Sequence, residues 1–249
     1  MRGLFLTIVF LVTLVGALVA FVPLGFLVNQ TNVASSGIGW TQIQGTMLNG
    51  RISGMHYNGQ DIGDVKLKLK PLSLLGLSPE YDVQWGGAGG QGTGTVKLSG
   101  ETLTARDVRF QQQLNAIQGL SPPVAAAGGT LRLSDGEIHL TRTGCESASG
   151  TLSTDTLTKV AQQYGREFGA VSGPLSCKDG NIHINMEGRS QRGDAITITA
   201  HTSLIGAARF DAYLETNDAE IIFALPQIGF IPEDDKWHYY YEQPGGFIP

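Results

Sequence analysis

Charged side chains are scarce in this sequence. They make up 16% of it, 17 basic against 22 acidic, for a formal net charge of −5. The alternating Lys66, Lys68 and Lys70 are its nearest approach to a basic cluster. A nucleic-acid partner needs a concentrated basic footprint, so that class of function is excluded. Cysteine is scarcer still, with Cys145 and Cys177 alone, and their spacing fits neither a zinc site nor a CxxC redox motif. The signatures of catalytic sites are missing as well: no GxxxxGK(S/T), HExxH or GxSxG occurs. The five histidines, His56, His139, His183, His201 and His238, are scattered singly. His139 and His183 hold equivalent places in an internal repeat, which shared ancestry explains more simply than a metal site does. Gly87 to Gly92 satisfies GxGxxG, but a strand-like stretch, Thr95 to Leu98, follows where a dinucleotide site needs a helix N-terminus. The acidic run Glu233-Asp234-Asp235 beside Pro232 reads as a turn before it reads as a hard-cation site. No catalytic, cofactor-binding or metal-ligating residue is assigned, and the chain is not expected to be an enzyme.

What the sequence does have begins at its N-terminus. From Gly3 to Val28 no side chain is charged, and Leu, Val, Phe and Ile dominate. At about 1.5 Å per residue such a helix spans the roughly 30 Å hydrocarbon layer. Residues 1–28 therefore read as a transmembrane anchor. Val15-Gly16-Ala17 offers small residues to a signal peptidase, yet the apolar run continues to Leu27, where a cleaved signal would have turned polar. Arg2 and the terminal amine precede the span, so the positive-inside bias keeps the N-terminus in the cytoplasm and sends the rest across the membrane, out of the reducing cytoplasm. Residues 29–39 are a polar linker, in which Asn29-Gln30-Thr31 is a sequon too close to the membrane to carry weight, and residues 40–249 form the exported domain. In that oxidising compartment the even pair Cys145 and Cys177 is expected to form a disulfide.

The exported part is mainly β. The chain carries 34 glycines, which favour many turns and short strands. Val65, Leu67 and Leu69 alternate with Lys66, Lys68 and Lys70, giving a strand with one apolar and one cationic face. Period two recurs at Tyr81, Val83 and Trp85, at Ile182, Ile184 and Met186, at Ile196 and Ile198, and at Phe210, Ala212 and Leu214. It returns at the C-terminus, where Trp237, Tyr239 and Tyr241 share one face of a closing strand and His238 and Tyr240 the other. Two stretches have helical spacing: Val108 to Leu120, in patches, and Asp155 to Phe168, behind Thr154 as N-cap. Segments starting at Gly94, Gly129 and Gly173 repeat a strand, a tight turn and a return strand, with Asp135-Gly136 and Asp179-Gly180 suited to type I′ hairpins. The expected fold is an N-terminal transmembrane helix plus a curled, hairpin-repeat β-sheet, a half-open roll or groove, with one or two short helices.

An apolar anchor is followed by Trp40, by Gly45-Thr-Met-Leu-Asn-Gly50, and by a strand into Pro71 with Leu74-Leu75 after it. Glycine-spaced hairpins and a closing Leu225-Pro-Gln-Ile-Gly229 complete the order. In this the chain resembles the type II secretion system protein N family, from the anchor to near Glu242. The resemblance implies an accessory inner-membrane component of the machinery that moves folded proteins across the outer membrane. Its partners would be inner-membrane platform subunits, and it implies no catalytic residues. The same topology also resembles periplasmic lipid carriers of the LptC-like and AsmA-like groups, in which lipid lies along an apolar β groove. A filled interior favours an interaction module, and an open apolar trough of roughly 300 to 1,000 Å³ favours lipid.

An uncleaved anchor has a direct test. The full chain is expected to stay with membranes through alkaline carbonate extraction and to keep its first residues. A mature N-terminus near Leu18, or complete extraction, overturns it.

Overall fold

The computed structural model describes residues 21–30, 37–57, 60–117, 120, 122–203 and 207–243. The anchor expected over residues 1–28 lies outside the described residues up to residue 20, as do residues 31–36 of the expected linker. Among the described residues no helix is long and apolar enough to cross a membrane. The chain divides into two compact units with the boundary between Ala88 and Gly89.

The first unit holds α1 (Leu24–Gln30), β1 (Ile38–Gly39), β2 (Gln42–Gly45), β3 (Asn49–Tyr57), β4 (Gln60–Leu69) and β5 (Glu80–Gly87), with a 3-10 turn over Pro71–Gly76. The strands pair antiparallel in the order β1, β3, β4, β5, and β2 also lies on β3. The alternation in β4 sorts as its sequence dictates: Val65 and Leu69 are buried, and Lys66 and Lys68 are exposed. Tyr81, Val83 and Trp85 of β5 stand opposite Leu69, Leu67 and Val65 on the same face. Both ends of the expected linker are described, since α1 runs on to Gln30 and β1 begins at Ile38.

The Gly45 to Gly50 motif is the β2–β3 turn, closed by the Thr46 amide on the Asn49 carbonyl at 3.1 Å. Gly45 has φ +84°, a region that favours glycine. Gly50 serves differently, because a Cβ there would collide with the side chain of Leu24. The end of the apolar N-terminal run thus packs on the β-strands. Leu24 is buried, Pro23 bridges to Thr46, and the Met47 amide donates to the Val22 carbonyl at 3.2 Å.

The second unit holds β6 (Gly90–Ser99), β7 (Thr102–Gln113), α2 (Pro122–Ala127), β8 (Thr130–Thr141), β9 (Gly144–Thr154) and α3 (Thr156–Gln163). It continues with β10 (Val171–Lys178), β11 (Asn181–Arg189), β12 (Ala195–Thr202), β13 (Ala208–Glu215), α4 (Ala219–Ala224), β14 (Ile231–Glu233) and β15 (Lys236–Gln243). Its strands form an open antiparallel sheet in chain order from β6 to β13, then β15, then β14. One face carries the core. Met186, Ile198, Ala212 and Tyr239 sit side by side across β11, β12, β13 and β15, and Ile196, Leu214 and Trp237 form a second rung. Leu133, Leu152, Val171 and Leu175 extend the cluster through β8, β9 and β10, with Val171 completely buried. Leu157 of α3, Ile221 of α4, Phe168 and Phe230 pack against it. The closing aromatic strand stands as its period-two pattern indicates.

Several local expectations are corrected. Val108–Gln113, expected to be helical, is the end of β7, and only Leu114–Ala116 makes a 3-10 turn. Val108 and Phe110 reach the core while Arg109 and Gln111 face out, so period two decides the segment. Asp135-Gly136 is not a hairpin turn but a bulge inside an unbroken β8. Asp135 has φ +52°, as does Asp179, whose Asp179-Gly180 pair does form the turn between Lys178 and Asn181. The same left-handed residue serves a bulge or a turn, and the dipeptide alone does not choose. The helix expected from Asp155 to Phe168 stops at Gln163. Gly165, at φ +64°, ends it in a Schellman motif, its amide on the Gln162 carbonyl (3.1 Å) and the Arg166 amide on that of Ala161 (2.8 Å). Tyr164 is consequently 74% exposed, off the buried face. Asp155 occupies the cap position expected for Thr154. Its carboxylate accepts from the Thr130 amide instead, and Thr154 Oγ1 accepts from the Thr156 amide. The short α2 and α4 had no helical signal in the sequence reading.

Cys145 and Cys177 are joined, with Cα atoms 5.6 Å apart and 32 positions between them. The β9–β10 ladder pairs Thr151–Thr154 with Val171–Pro174, so the bridge secures the opposite ends of the same two strands. Closing a loop of this length stabilises the fold by about 3–4 kcal/mol in the chain-entropy model. Replacing both cysteines by serine is expected to lower the melting temperature by roughly 6–16 °C, read by thermal denaturation without reductant. An unchanged midpoint overturns the stabilising role.

Candidate functional site

The Schellman turn that ends α3 delivers Arg166 to a shallow cleft of about 540 Å³ in the second unit, lined also by Tyr164, Arg192, Asp218 and Glu220. Arg166 is 16% exposed and grips Asp218 with both arms, Nη1 to Oδ2 at 2.9 Å and Nη2 to Oδ1 at 3.0 Å. Asp218 also caps α4, accepting from the amides of Glu220 (3.0 Å) and Ile221 (3.4 Å). Burial pushes the Asp218 carboxyl up, but the Arg166 hydrogen bond and the two amides outweigh it and hold the group below the usual carboxylate range. Arg166 is raised in turn by Asp218. A Thr216 hydroxyl links this cap to the buried Asp194 at 2.7 Å, and Ser190 donates to the other Asp194 oxygen at 2.7 Å. An ionised carboxylate and a permanent guanidinium bound to each other offer no proton to exchange near neutral pH. The arrangement is a clamp between α3, α4 and the β11–β12 turn.

A second charged group lies on the outer face of β13 and β15. Asp211, 9% exposed, accepts from Arg209 (2.9 Å) and stands 3.2 Å from His238 Nε2, whose Nδ1 is 2.8 Å from Glu233. Burial raises the Asp211 carboxyl, and its hydrogen bonds with Arg209 and His238 bring it below its ordinary value. Tyr213 stacks on His238 at 4.3 Å. His139 and His183, equivalent in the repeat, are not brought together. His139 lies between Thr104 and Glu137, both at 3.2 Å, whereas His183 faces His201 with ring centroids 4.3 Å apart. Burial pushes His201 down, and neighbouring His183 adds to the effect. Among the described residues no group of three or more His, Cys, Asp or Glu is arranged to hold a metal ion. No buried side-chain polar atom among them lacks a hydrogen-bond partner.

An exposed apolar surface lies in the first unit. The 3-10 turn after β4 exposes Leu72 (81%), Leu75 (85%) and Leu77 (89%). The turn is braced at its base: Ser73 Oγ donates to the Lys70 carbonyl (2.6 Å) and accepts from the Glu80 amide (2.9 Å). Lys70 Nζ adds ion pairs to Glu80 and Asp82. Leu77 sits at φ 51°, ψ 27°, a left-handed cap where glycine or asparagine is usual. The sequence reading used Pro71 and Leu74-Leu75 only as a family motif. Four leucines, Leu72, Leu74, Leu75 and Leu77, stand among Pro71, Ser73 and Gly76 in a stretch too short to form a core element. Arg166 and Asp218 gave no sequence signal, since they are 52 positions apart.

The acid side of the stability profile tests the clamp. A carboxylate whose folded value is depressed contributes stability that is present above its unfolded value, about 3.9, and is lost as pH falls through the folded one. Asp218→Asn is therefore expected to be less stable than the parent at neutral pH, with the gap narrowing as pH falls below about 4. Urea unfolding at several pH values reads it, and a gap that stays constant with pH removes the Asp218 charge from the account.

Comparison with known proteins adds one result. No curated protein and no solved structure matches the chain. Residues 36–236 match the family model of type II secretion system (T2SS), protein N, over well more than half of the sequence. That span takes in both glycines of the β2–β3 turn, the leucine turn and the segment from α4 into β15. The chain belongs to the type II secretion system protein N family.

Proposed function

We propose that the protein is a non-catalytic adaptor of a type II secretion assembly. In this reading the apolar N-terminal run, ahead of the part that packs on β2 and β3, anchors it in the inner membrane, with the N-terminus cytoplasmic and the β-strands in the periplasm. Family membership ties the chain to type II secretion and is the observation that carries the reading. Two charged clusters are consistent with it, since Arg166–Asp218 and Arg209–Asp211–His238 are engaged within the fold. The exposed leucines support it too, since contiguous apolar surface marks contact with a partner or a membrane. An anchor would hold the domain beside inner-membrane platform subunits and raise its effective concentration there.

The β14 edge is poorly suited to docking by strand addition. β14 has three residues, and Pro232 at its centre has no amide hydrogen to give. Lipid transfer along an apolar groove, the rival reading, has less support. The apolar face of β8 to β13 is packed by Leu157, Phe168, Ile221 and Phe230.

Deletion of the protein is expected to slow release of folded exoproteins and to leave them in the periplasm, with export across the inner membrane unchanged. Fractionation with an enzyme assay for one exoprotein measures this. Normal secretion together with altered outer-membrane lipid composition would replace the adaptor with the lipid carrier.

A further inference from the structure

The leucine turn and the outgoing N-terminal chain are at the same end of the first unit. Backbone bonds trace the connection. The Val22 carbonyl accepts from the Met47 amide (3.2 Å), and the carbonyl of the residue after Met47, Leu48, accepts from the Leu69 amide (2.9 Å). Two residues beyond Leu69 the turn begins at Pro71. Phe21 (80% exposed) directly follows residues 1–20, Phe26 (60% exposed) lies in α1, and residues 3–20 carry no charge. Three leucines and two phenylalanines are thus displayed to solvent around the exit of an apolar segment.

Water is a poor neighbour for such a surface. An exposed leucine by itself needs no explanation, but three within six positions, on a turn that is held stiff, form a patch. Ser73 and the Lys70–Glu80 ion pair keep the turn from folding back over its own side chains. Leu77 pays a steric cost for its left-handed backbone and gains no burial in return. A helix of seven residues, α1, follows the exit and is already seated through Leu24, so it leaves the leucines uncovered.

We propose that the Pro71–Leu77 turn is a membrane-contacting tip, inserting Leu72, Leu75 and Leu77 into the interfacial region of the bilayer beside the anchor. The occupant is lipid acyl chain. The inference rests on the anchored reading, because an apolar segment leaving beside the turn brings the bilayer to it. Apolar side chains at the end of a rigid loop bury in the boundary between headgroups and acyl chains, as the apolar face of an interfacial helix does. The first unit would then be held against the membrane by two attachments instead of swinging from one.

The test uses the full chain in phosphatidylcholine–phosphatidylglycerol vesicles, with its disulfide intact. An environment-sensitive fluorophore is placed at Leu75→Cys and, in a separate protein, at Gln162→Cys, an exposed position of α3. Leu75 is 85% exposed, so its replacement removes little packing. The label at position 75 is expected to shift to shorter wavelength and to be quenched by lipids carrying a nitroxide high on the acyl chain, while the label at position 162 does neither. An aqueous spectrum at position 75, in vesicles that retain the chain through alkaline carbonate, overturns the tip and leaves the anchor standing. A shielded label that acyl-chain nitroxides do not quench also overturns it, in favour of a protein contact. Loss of the chain from the vesicles in carbonate overturns anchor and tip together.

Discussion

Register in the second unit is set by what must be hidden. Met186, Ile198, Ala212 and Tyr239 form one rung on the core face, and their neighbours along each strand, Asn185, Thr199, Asp211 and Tyr240, form the adjoining rung on the other. A slip of one residue between any two of these strands would exchange the faces and bury Asp211 or Thr199 among the aliphatics. The rest of the unit depends on this. Helix α3 and the segment from α4 to Phe230 have their places because the apolar face needs a cover, and the Schellman turn and the Asp218 cap fix where that cover begins and ends.

Period two was legible in the sequence wherever a strand carries a clean apolar stripe. β4, β5, β11, β12, β13 and β15 were all readable on that basis, and so was the sharing of faces by Trp237 and Tyr239. Legibility failed where one local conformation has two uses. Asp135 and Asp179 adopt the same φ, yet one bulges within β8 and the other turns the chain between β10 and β11. The difference lies in whether the following residues find a partner on the old neighbour or a new one, which is a tertiary fact. Gly165 was visible, but its helix-ending role was overridden by apolar spacing that carried on through Tyr164 to Phe168. The charged clamp could not be read at all. Arg166 and Asp218 become neighbours only when the strands between them are stacked.

The polar groups of the second unit are matched with unusual economy. Asp218 receives a guanidinium and two helix amides, Asp194 two hydroxyls, and Asp211 an arginine and a histidine. Groups satisfied in this way set geometry, and they leave recognition to the apolar and aromatic surface. That division suits a protein whose family assembles into a larger machine. The first unit follows the same rule on a smaller scale: Lys70, Ser73 and Glu80 hold a turn whose exposed parts are almost entirely hydrocarbon.

Pro232 bears on how such a protein behaves among its own copies. A sheet grown strand by strand in chain order has no internal reason to stop, and an unblocked last strand would recruit the first available stretch of extended chain. Here the terminal position is given to three residues with a proline in the middle and Glu233 beside it, its backbone turned into Lys236 by Asp234-Asp235. The strand order also doubles back, so β14 lies outside β15 although it precedes it in the chain. At that margin the backbone offers little to a further strand, whether from a partner or from another copy of the chain.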